Sequence, residues 1–390
     1  MDFGAQYKKI SNENLVGHPL SLLELENFRN LSFDRLLPHP RFNFFFGDNA
    51  QGKTSILEAI YFLSELKSFR CQDLAPLVQH EKQKAFLRAE FSLEGISYDL
   101  KSSISANHKE IYLNGKKPRP YSKLRQILPI VLFTPDSIRL FRVAPGERRT
   151  YFDRFFSLLS VDYESGLENY QSVLKQKLSL LELARESGHL SRDQMEIWDE
   201  KLKFWGAKLS FARFQWTQRL SEKLASYFKS LSGGKWKVDL KYEPYFKQIQ
   251  KDQSEKQMEA AISAEIQNRK QDELERAQVL VGPHRDDWTL WLGGQKLKEE
   301  GSQGQHRVSV AALKLSEVAL LQSIGKNPLA LFDDLLSELD LQRSRQMLET
   351  LSECDCQVFL TSVTPLGIPL KGLEGIAFEL KQGQLFQASL

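Results

Sequence analysis

Eight consecutive residues, Gly47, Asp48, Asn49, Ala50, Gln51, Gly52, Lys53 and Thr54, fill the pattern G-x-x-x-x-G-K-[ST]. Each type has a task at that spacing. The glycines let the backbone curl until successive N–H groups face inward, an anion nest suited to phosphate. Lys53 supplies a point charge for the β- and γ-phosphates, and the Thr54 hydroxyl is a ligand for Mg²⁺. A helix beginning here adds the positive end of its dipole. The chemistry implied is binding of a nucleoside triphosphate.

Such a loop requires a carboxylate partner for its metal. The stretch from Pro328 to Asp334, PLALFDD, is how a buried strand delivers two acids at its tip. Asp333 is expected to hold Mg²⁺, directly or through water, and Asp334 to orient or deprotonate an attacking water. Lys53, Asp333 and Asp334 are the catalytic candidates. The two motifs lie far apart in the chain, so the span between them holds a lobe and an insertion. Helicase-like and AAA-type cores place them closer; so wide a split points to a head of the ABC/SMC kind.

That kind of head carries a signature loop upstream of the carboxylate strand. Gly301-Ser302-Gln303-Gly304-Gln305 stands there. Ser302, Gly304 and Gln305 match the ABC signature Leu-Ser-Gly-Gly-Gln, while Gly301 and Gln303 depart from it. Serine at a helix N-terminus can meet a γ-phosphate with the dipole behind it. In ABC-type heads that phosphate belongs to the partner subunit, so ATP is sandwiched between two protomers. Ser337-Glu338-Leu339-Asp340 resembles the D-loop of the same interface. The switch region, Thr361-Ser362-Val363-Thr364, has no histidine, and Asp334 is shorter than the glutamate common in transporters. These departures imply slow turnover.

The elements that must position these groups are legible in outline. Leu20 to Leu25 alternates as a first strand. Phe42, Phe44 and the run to Phe46 read as a buried strand entering the phosphate loop, and Ser55 to Ile60 continues as an apolar-rich helix. From Ala85 to Leu113 a period of two predicts antiparallel strands, with Asn114-Gly115 closing a hairpin. Ile130 to Phe133 is a short buried strand. Residues 147–231 lack proline and carry heptad-like spacing (Leu167, Leu174, Leu178, Leu181), which predicts two long helices separated at Gly188. A short strand within Trp236 to Tyr245 and a polar helix over 248–275 follow. The expected organisation is an α/β ATPase head of the ABC/SMC type, a P-loop NTPase fold with an inserted helical arm. Its N-terminal half spans 18–140, its arm 141–275 and its C-terminal half 276–390.

The bulk numbers fit this outline. The chain has 390 residues, 41% hydrophobic and 26% charged, enough for a large core. The net charge of +3 means that nucleic acid would need a local basic surface. Lys116, Lys117, Arg119, Lys123 and Arg125 form either a solvated loop or a phosphate contact. Cys71, Cys354 and Cys356 are too few for a disulfide framework and read as reduced thiols. Residues 1–17 are polar without the apolar core of a signal peptide, and no run is long enough to span a membrane. A cytoplasmic, nucleoid-associated location is expected.

The assembly resembles the RecF family, bacterial recombination mediators of the SMC-like ATPase group. The likeness runs from Leu20 to about Leu380 and rests also on Phe133-Thr134-Pro135-Asp136, Gly146-Glu147-Arg148-Arg149 with Phe152-Asp153-Arg154, and Val281-Gly282-Pro283-His284-Arg285-Asp286-Asp287. It implies an ATP-dependent homodimer that hydrolyses ATP slowly, as a switch. It also implies sequence-independent binding of single-stranded and gapped DNA, and action with RecR and RecO in loading RecA. His284 and Arg285 are either a packed turn or part of a DNA or dimer surface. The competing readings are a short-armed SMC-type chromosome organiser, a transporter nucleotide-binding subunit and an ATPase-linked nuclease. SMC proteins carry much longer coiled coils than 147–275, and transporters have the switch histidine missing here.

Overall fold

The computed structural model describes residues 20–187, 192–245, 254–363 and 373–388. The expectations for residues 1–17, Gly188, 248–253 and Thr364 lie outside them. In chain order the elements are β1 (Leu20–Glu26), β2 (Arg35–Leu36), β3 (Phe42–Phe46), α1 (Lys53–Glu65), β4 (Ala85–Leu93), β5 (Ile96–Ile104), β6 (Lys109–Leu113), α2 (Ser122–Ile127) and β7 (Ile130–Phe133). Then come α3 (Pro145–Leu159), α4 (Val161–Ser187), α5 (Arg192–Ser232), β8 (Val238–Glu243), α6 (Glu255–Arg276), β9 (Asp287–Leu292) and β10 (Gln295–Lys296). The chain continues with α7 (Leu297–Glu300), α8 (Gln303–Gln322), β11 (Leu329–Phe332), α9 (Leu341–Glu353), β12 (Gln357–Ser362), β13 (Gly375–Lys381) and β14 (Gln384–Ala388).

The central sheet has the order β14-β13-β3-β12-β11-β7. All but β14 run parallel, and β14 adds an antiparallel edge to β13. A parallel sheet covered on both faces needs strands that are apolar throughout. Leu329–Phe332 meets that need and is buried at every position, and Phe42–Phe46 meets it except at Asn43, whose buried amide donates to the His39 and Val358 carbonyls. The register pairs Phe332 with both Leu360 and Phe133, and Leu360 with Phe44. The carboxyl ends of four strands therefore share one rim, where open α/β sheets bind ligands.

One face of this sheet packs on α1, where every residue except Thr54 and Glu65 is buried. A five-stranded antiparallel sheet, β2-β1-β4-β5-β6, shares that core. Asn114 and Gly115 close its last hairpin at positive φ, with Leu113 and Lys116 exchanging backbone hydrogen bonds. The other face of the central sheet packs on α8, in a core continuous with α3, α4, α5 and α6.

The arm corrects one expectation. Between residues 147 and 231 the chain forms three helices, with an additional break at Ser160. That residue is extended (φ −147°, ψ 126°), and its hydroxyl accepts from Tyr163 N at 3.2 Å while its carbonyl accepts from Glu164 N. A serine that serves the following helix as an N-cap stops the preceding one without proline or glycine. β8, β9 and β10 form a small antiparallel sheet, so strands on either side of residue 275 are paired. Among the described residues no helix is long and apolar enough to cross a membrane, and all three cysteines are free.

Candidate nucleotide site

The loop from Gly47 to Gly52 leaves β3 and enters α1. Gly47 has φ +140°, and a Cβ there would lie 2.4 Å from the Leu380 carbonyl oxygen of β13. Gly52, at φ +108°, precedes the first helical residue, and a Cβ there would strike the Leu31 side chain at 2.6 Å. Both positions exclude other side chains on conformation and on space. Further groups brace the loop. Asn30 Nδ2 donates to the Ala50 carbonyl at 2.8 Å, Ser55 Oγ donates to Asn30 Oδ1 at 3.2 Å, and Gln51 Oε1 accepts from Gln382 N at 2.5 Å. Asp48, Asn49 and Ala50 form the exposed rim.

Lys53 is buried, and its Nζ donates to the carbonyls of Gly47 at 2.5 Å and Asp48 at 2.7 Å. Burial pulls the Lys53 pKa below the usual lysine range, against the opposing charges of Asp334, Asp333 and Asp48. Asp333 and Asp334 lie beyond the tip of β11, with β12 between β11 and the phosphate-loop strand. Asp333 Oδ1 accepts from the Thr54 hydroxyl at 2.8 Å and from the Thr361 hydroxyl at 2.8 Å. Burial raises the Asp333 pKa even so; the two threonine hydrogen bonds pull the other way. Asp334 sits in the left-handed region at φ 49°, its N–H donating to Thr361 Oγ1 at 2.9 Å. Its Oδ1 is buried without a hydrogen-bond partner. A buried orphan oxygen on a residue in a sparsely populated conformation is the kind of feature found at functional sites.

Lys53, Thr54, Asp333 and Asp334 thus come together. Thr361, which holds both aspartates, escapes sequence reasoning because threonine near a strand end is also ordinary β-propensity. The only hint is its place at the tip of an apolar strand, as the first residue of the switch region.

Ser302, Gly304 and Gln305 stand elsewhere. Ser302 caps α8, its Oγ accepting from Gln305 N at 3.2 Å and its N–H donating to Gln305 Oε1 at 2.7 Å. Ser302 and Gly304 are exposed. Among the described residues no hydrogen bond joins these three to the phosphate loop or to Asp333. Arg142 donates to the buried His306 Nε2 at 3.1 Å and to the Gly301 carbonyl at 3.3 Å, which fixes the base of the loop. Burial first, then Arg142, lowers the His306 pKa to about 4, so the ring stays a neutral acceptor. Arg307 pairs with Glu338 at 2.8 Å, linking the start of α8 to the turn after Asp334.

Several residues singled out in the sequence are structural. Arg148 is buried and bidentate with Asp287, through Nε at 2.8 Å and Nη2 at 2.7 Å. Arg213 binds both oxygens of Asp153, at 3.0 and 2.9 Å, and Asp286 at 3.0 Å. His284 lies packed between Tyr170 Oη at 2.6 Å and the Val279 carbonyl at 3.0 Å. Among the candidate phosphate contacts, Lys117 pairs with Glu110 and Arg125 with Glu164, while Arg119 and Lys123 remain exposed.

A parallel sheet with a phosphate loop at one strand tip, paired aspartates two strands away and a helical arm inserted between them defines an ATPase head of the ABC/SMC class. The family model for the RecF/RecN/SMC N terminal domain matches residues 19–367. The chain is 34% identical over 356 residues to the DNA replication and repair protein RecF of Geotalea uraniireducens, covering 91% of this chain and 96% of that protein. It is 34% identical over 368 residues to RecF of Desulforamulus reducens, covering 94% and 98%. Within the class, the chain belongs to the RecF family. A solved structure of the recombination mediator protein RecF with ATP, in the RecFOR pathway, superposes with TM-score 0.85 at 27% identity, covering 97% of this chain and 100% of that one. The Smc head domain of Pyrococcus furiosus bound to the C-terminal domain of ScpA has TM-score 0.58 at 15% identity, a likeness of fold.

Proposed function

We propose that this protein is an ATP-gated DNA clamp of recombinational repair and replication-fork maintenance. It dimerises on ATP, grips DNA at gaps or single-strand/double-strand junctions, and works with RecR and RecO to load RecA; slow hydrolysis releases it. The observation that carries the reading is the convergence of the Thr54 and Thr361 hydroxyls on one oxygen of Asp333, beside Lys53, from segments distant in the chain. The likeness to RecF bound to ATP supports it.

The residues present fit Mg²⁺: a hydroxyl and a carboxylate are hard oxygen donors already in contact, and this ion keeps most of its other positions for water and phosphate. When bound, the ion neutralises charge on the β- and γ-phosphate oxygens. Lys53 exchanges its two carbonyl acceptors for phosphate oxygens. The N–H groups of the loop and the N-terminus of α1 bind the β-phosphate. Asp334, with an oxygen to spare, accepts a hydrogen bond from the attacking water and aims it. Ser302, exposed at the head of α8, meets the γ-phosphate held by the second protomer.

The test is a mobility shift of gapped duplex at low salt using the Asp334→Asn protein, with light scattering on the same samples. With ATP and Mg²⁺ the mass doubles and the shift strengthens, and added salt weakens it. A mass indifferent to ATP, together with no shift in any condition, defeats the reading.

A further inference from the structure

The arm carries a second cleft, of about 530 Å³, between α4 and the segment that precedes β9. Leu174, Leu178 and Val279 form its apolar wall, and Arg149, Arg285 and Tyr245 its polar one. The size is that of a pocket taking a side chain with its neighbouring backbone.

The charge around it is uneven. The buried cations beside it are matched: Arg148 by Asp287, Arg213 by Asp153 and Asp286, and Lys177 by Asp199 and Glu273, whereas Arg149 and Arg285 are half-buried. Arg149 and Arg285 have no ion pair among the described residues. Arg149 donates one hydrogen bond, from Nη1 to the Asp286 carbonyl at 2.8 Å. Arg285 lies over the Tyr245 ring, 5.5 Å from its centroid. The wall between them is rigid and neutral: Tyr170 and the Val279 carbonyl hold the two ring nitrogens of His284. Two guanidinium groups stand beside an apolar surface with no carboxylate in ion-pair contact among the described residues; the charges of Asp286, Asp287 and Asp153 reach Arg149 only from a distance, which leaves room for a directly bound anion.

We propose that this cleft docks an acidic segment of a partner protein, with an apolar side chain against Leu174, Leu178 and Val279 and flanking carboxylates on Arg149 and Arg285. Arginine offers a planar fork that carboxylates match in pairs, and arginine clusters are a recurring means of reading acidic motifs. A nucleic-acid backbone would satisfy the arginines but leave the apolar wall without a partner. This docking is independent of the nucleotide site.

The probe is a fluorescein-labelled peptide, Asp-Glu-Asp-Leu-Phe-Asp-Glu, titrated with full-length protein and followed by polarisation. A copy with Asn and Gln for the acids and a thymidine oligonucleotide are the controls. The acidic peptide binds. Arg285→Ala and Arg149→Ala each weaken it about tenfold, the loss of one charge-assisted contact. Leu178→Ser weakens it as well. Unchanged binding of a fluorescent ATP analogue by Arg285→Ala shows that the variant is folded. Absence of binding by the wild type, equal binding of the neutral peptide, indifference to both arginine substitutions, or a loss confined to the oligonucleotide overturns the proposal.

Discussion

The nucleotide site and the polar knot of the arm use the same residue types, a pair of adjacent aspartates and a buried cation, to opposite ends. In the knot, Asp286 and Asp287 follow Arg285 and each meets an arginine: Asp286 receives Arg213 at 3.0 Å, the Tyr242 hydroxyl and Tyr245 N, while Asp287 receives Arg148 through two nitrogens. At the strand tip, among the described residues, the Asp333 side chain meets two hydroxyls, Asp334 leaves an oxygen unpaired, and Lys53 turns to backbone carbonyls. Saturation locks elements together. Incompleteness leaves capacity for a ligand. The difference lies in the partners, since neither pair of aspartates announces its role on its own.

The comparison breaks first at Arg213. Replacing it with Met keeps much of the side-chain volume but strips Asp153 and Asp286 of their counter-charge in the interior. Removing one partner of a buried ionic cluster costs about 3–5 kcal/mol, because the remaining charges stay desolvated. Arg213→Met is therefore expected to lower the urea midpoint of the arm steeply. An unchanged midpoint would show that the knot is not the fastening described here.

Lys53→Ala is the counterpart in the incomplete site. Its two hydrogen bonds reach carbonyls that solvent can satisfy, so stability stays close to wild type. Affinity for ATP falls by about two orders of magnitude or more, the usual cost of deleting one member of a desolvated charge contact. Equilibrium binding of a fluorescent ATP analogue measures it; an affinity within a few-fold of wild type would remove Lys53 from the phosphate site.

The contrast also explains what could be read from the chain. The phosphate loop is local, so eight residues declare it, and the need for a metal-binding carboxylate then singles out Asp333 among the acids. The central strands are legible because burial on both faces demands runs that are nearly all apolar, broken in Phe42–Phe46 by Asn43 alone. The knot is not legible: Arg148 and Asp287 are 139 residues apart, and a basic residue in the stretch around Glu147 reads equally well as a phosphate contact. The break at Ser160 is hidden because serine is tolerated inside helices, and only its cap geometry shows that it ends one. Pairing across long separations decides these cases, and local spacing carries no record of it.

Asp333→Asn gives the smallest effect and the sharpest sign. Burial raises the Asp333 pKa above its ordinary 3.8, so the empty folded protein holds this proton more tightly than the unfolded chain does. The ionised carboxylate therefore destabilises the fold, by an amount that grows as pH rises from 3.8 through the folded value and is constant above it. Asn keeps an oxygen to accept from Thr54 and Thr361 and carries no charge. The variant is expected to be more stable than wild type near neutral pH, and the gain should shrink toward zero as pH falls below 3.8. It should also lose the Mg²⁺-dependent part of its ATP affinity. Thermal unfolding of the nucleotide-free proteins across that range measures the gain. A variant less stable than wild type at pH 7 would mean that Asp333 is a fastening like Asp286, and the distinction between the two regions would fall.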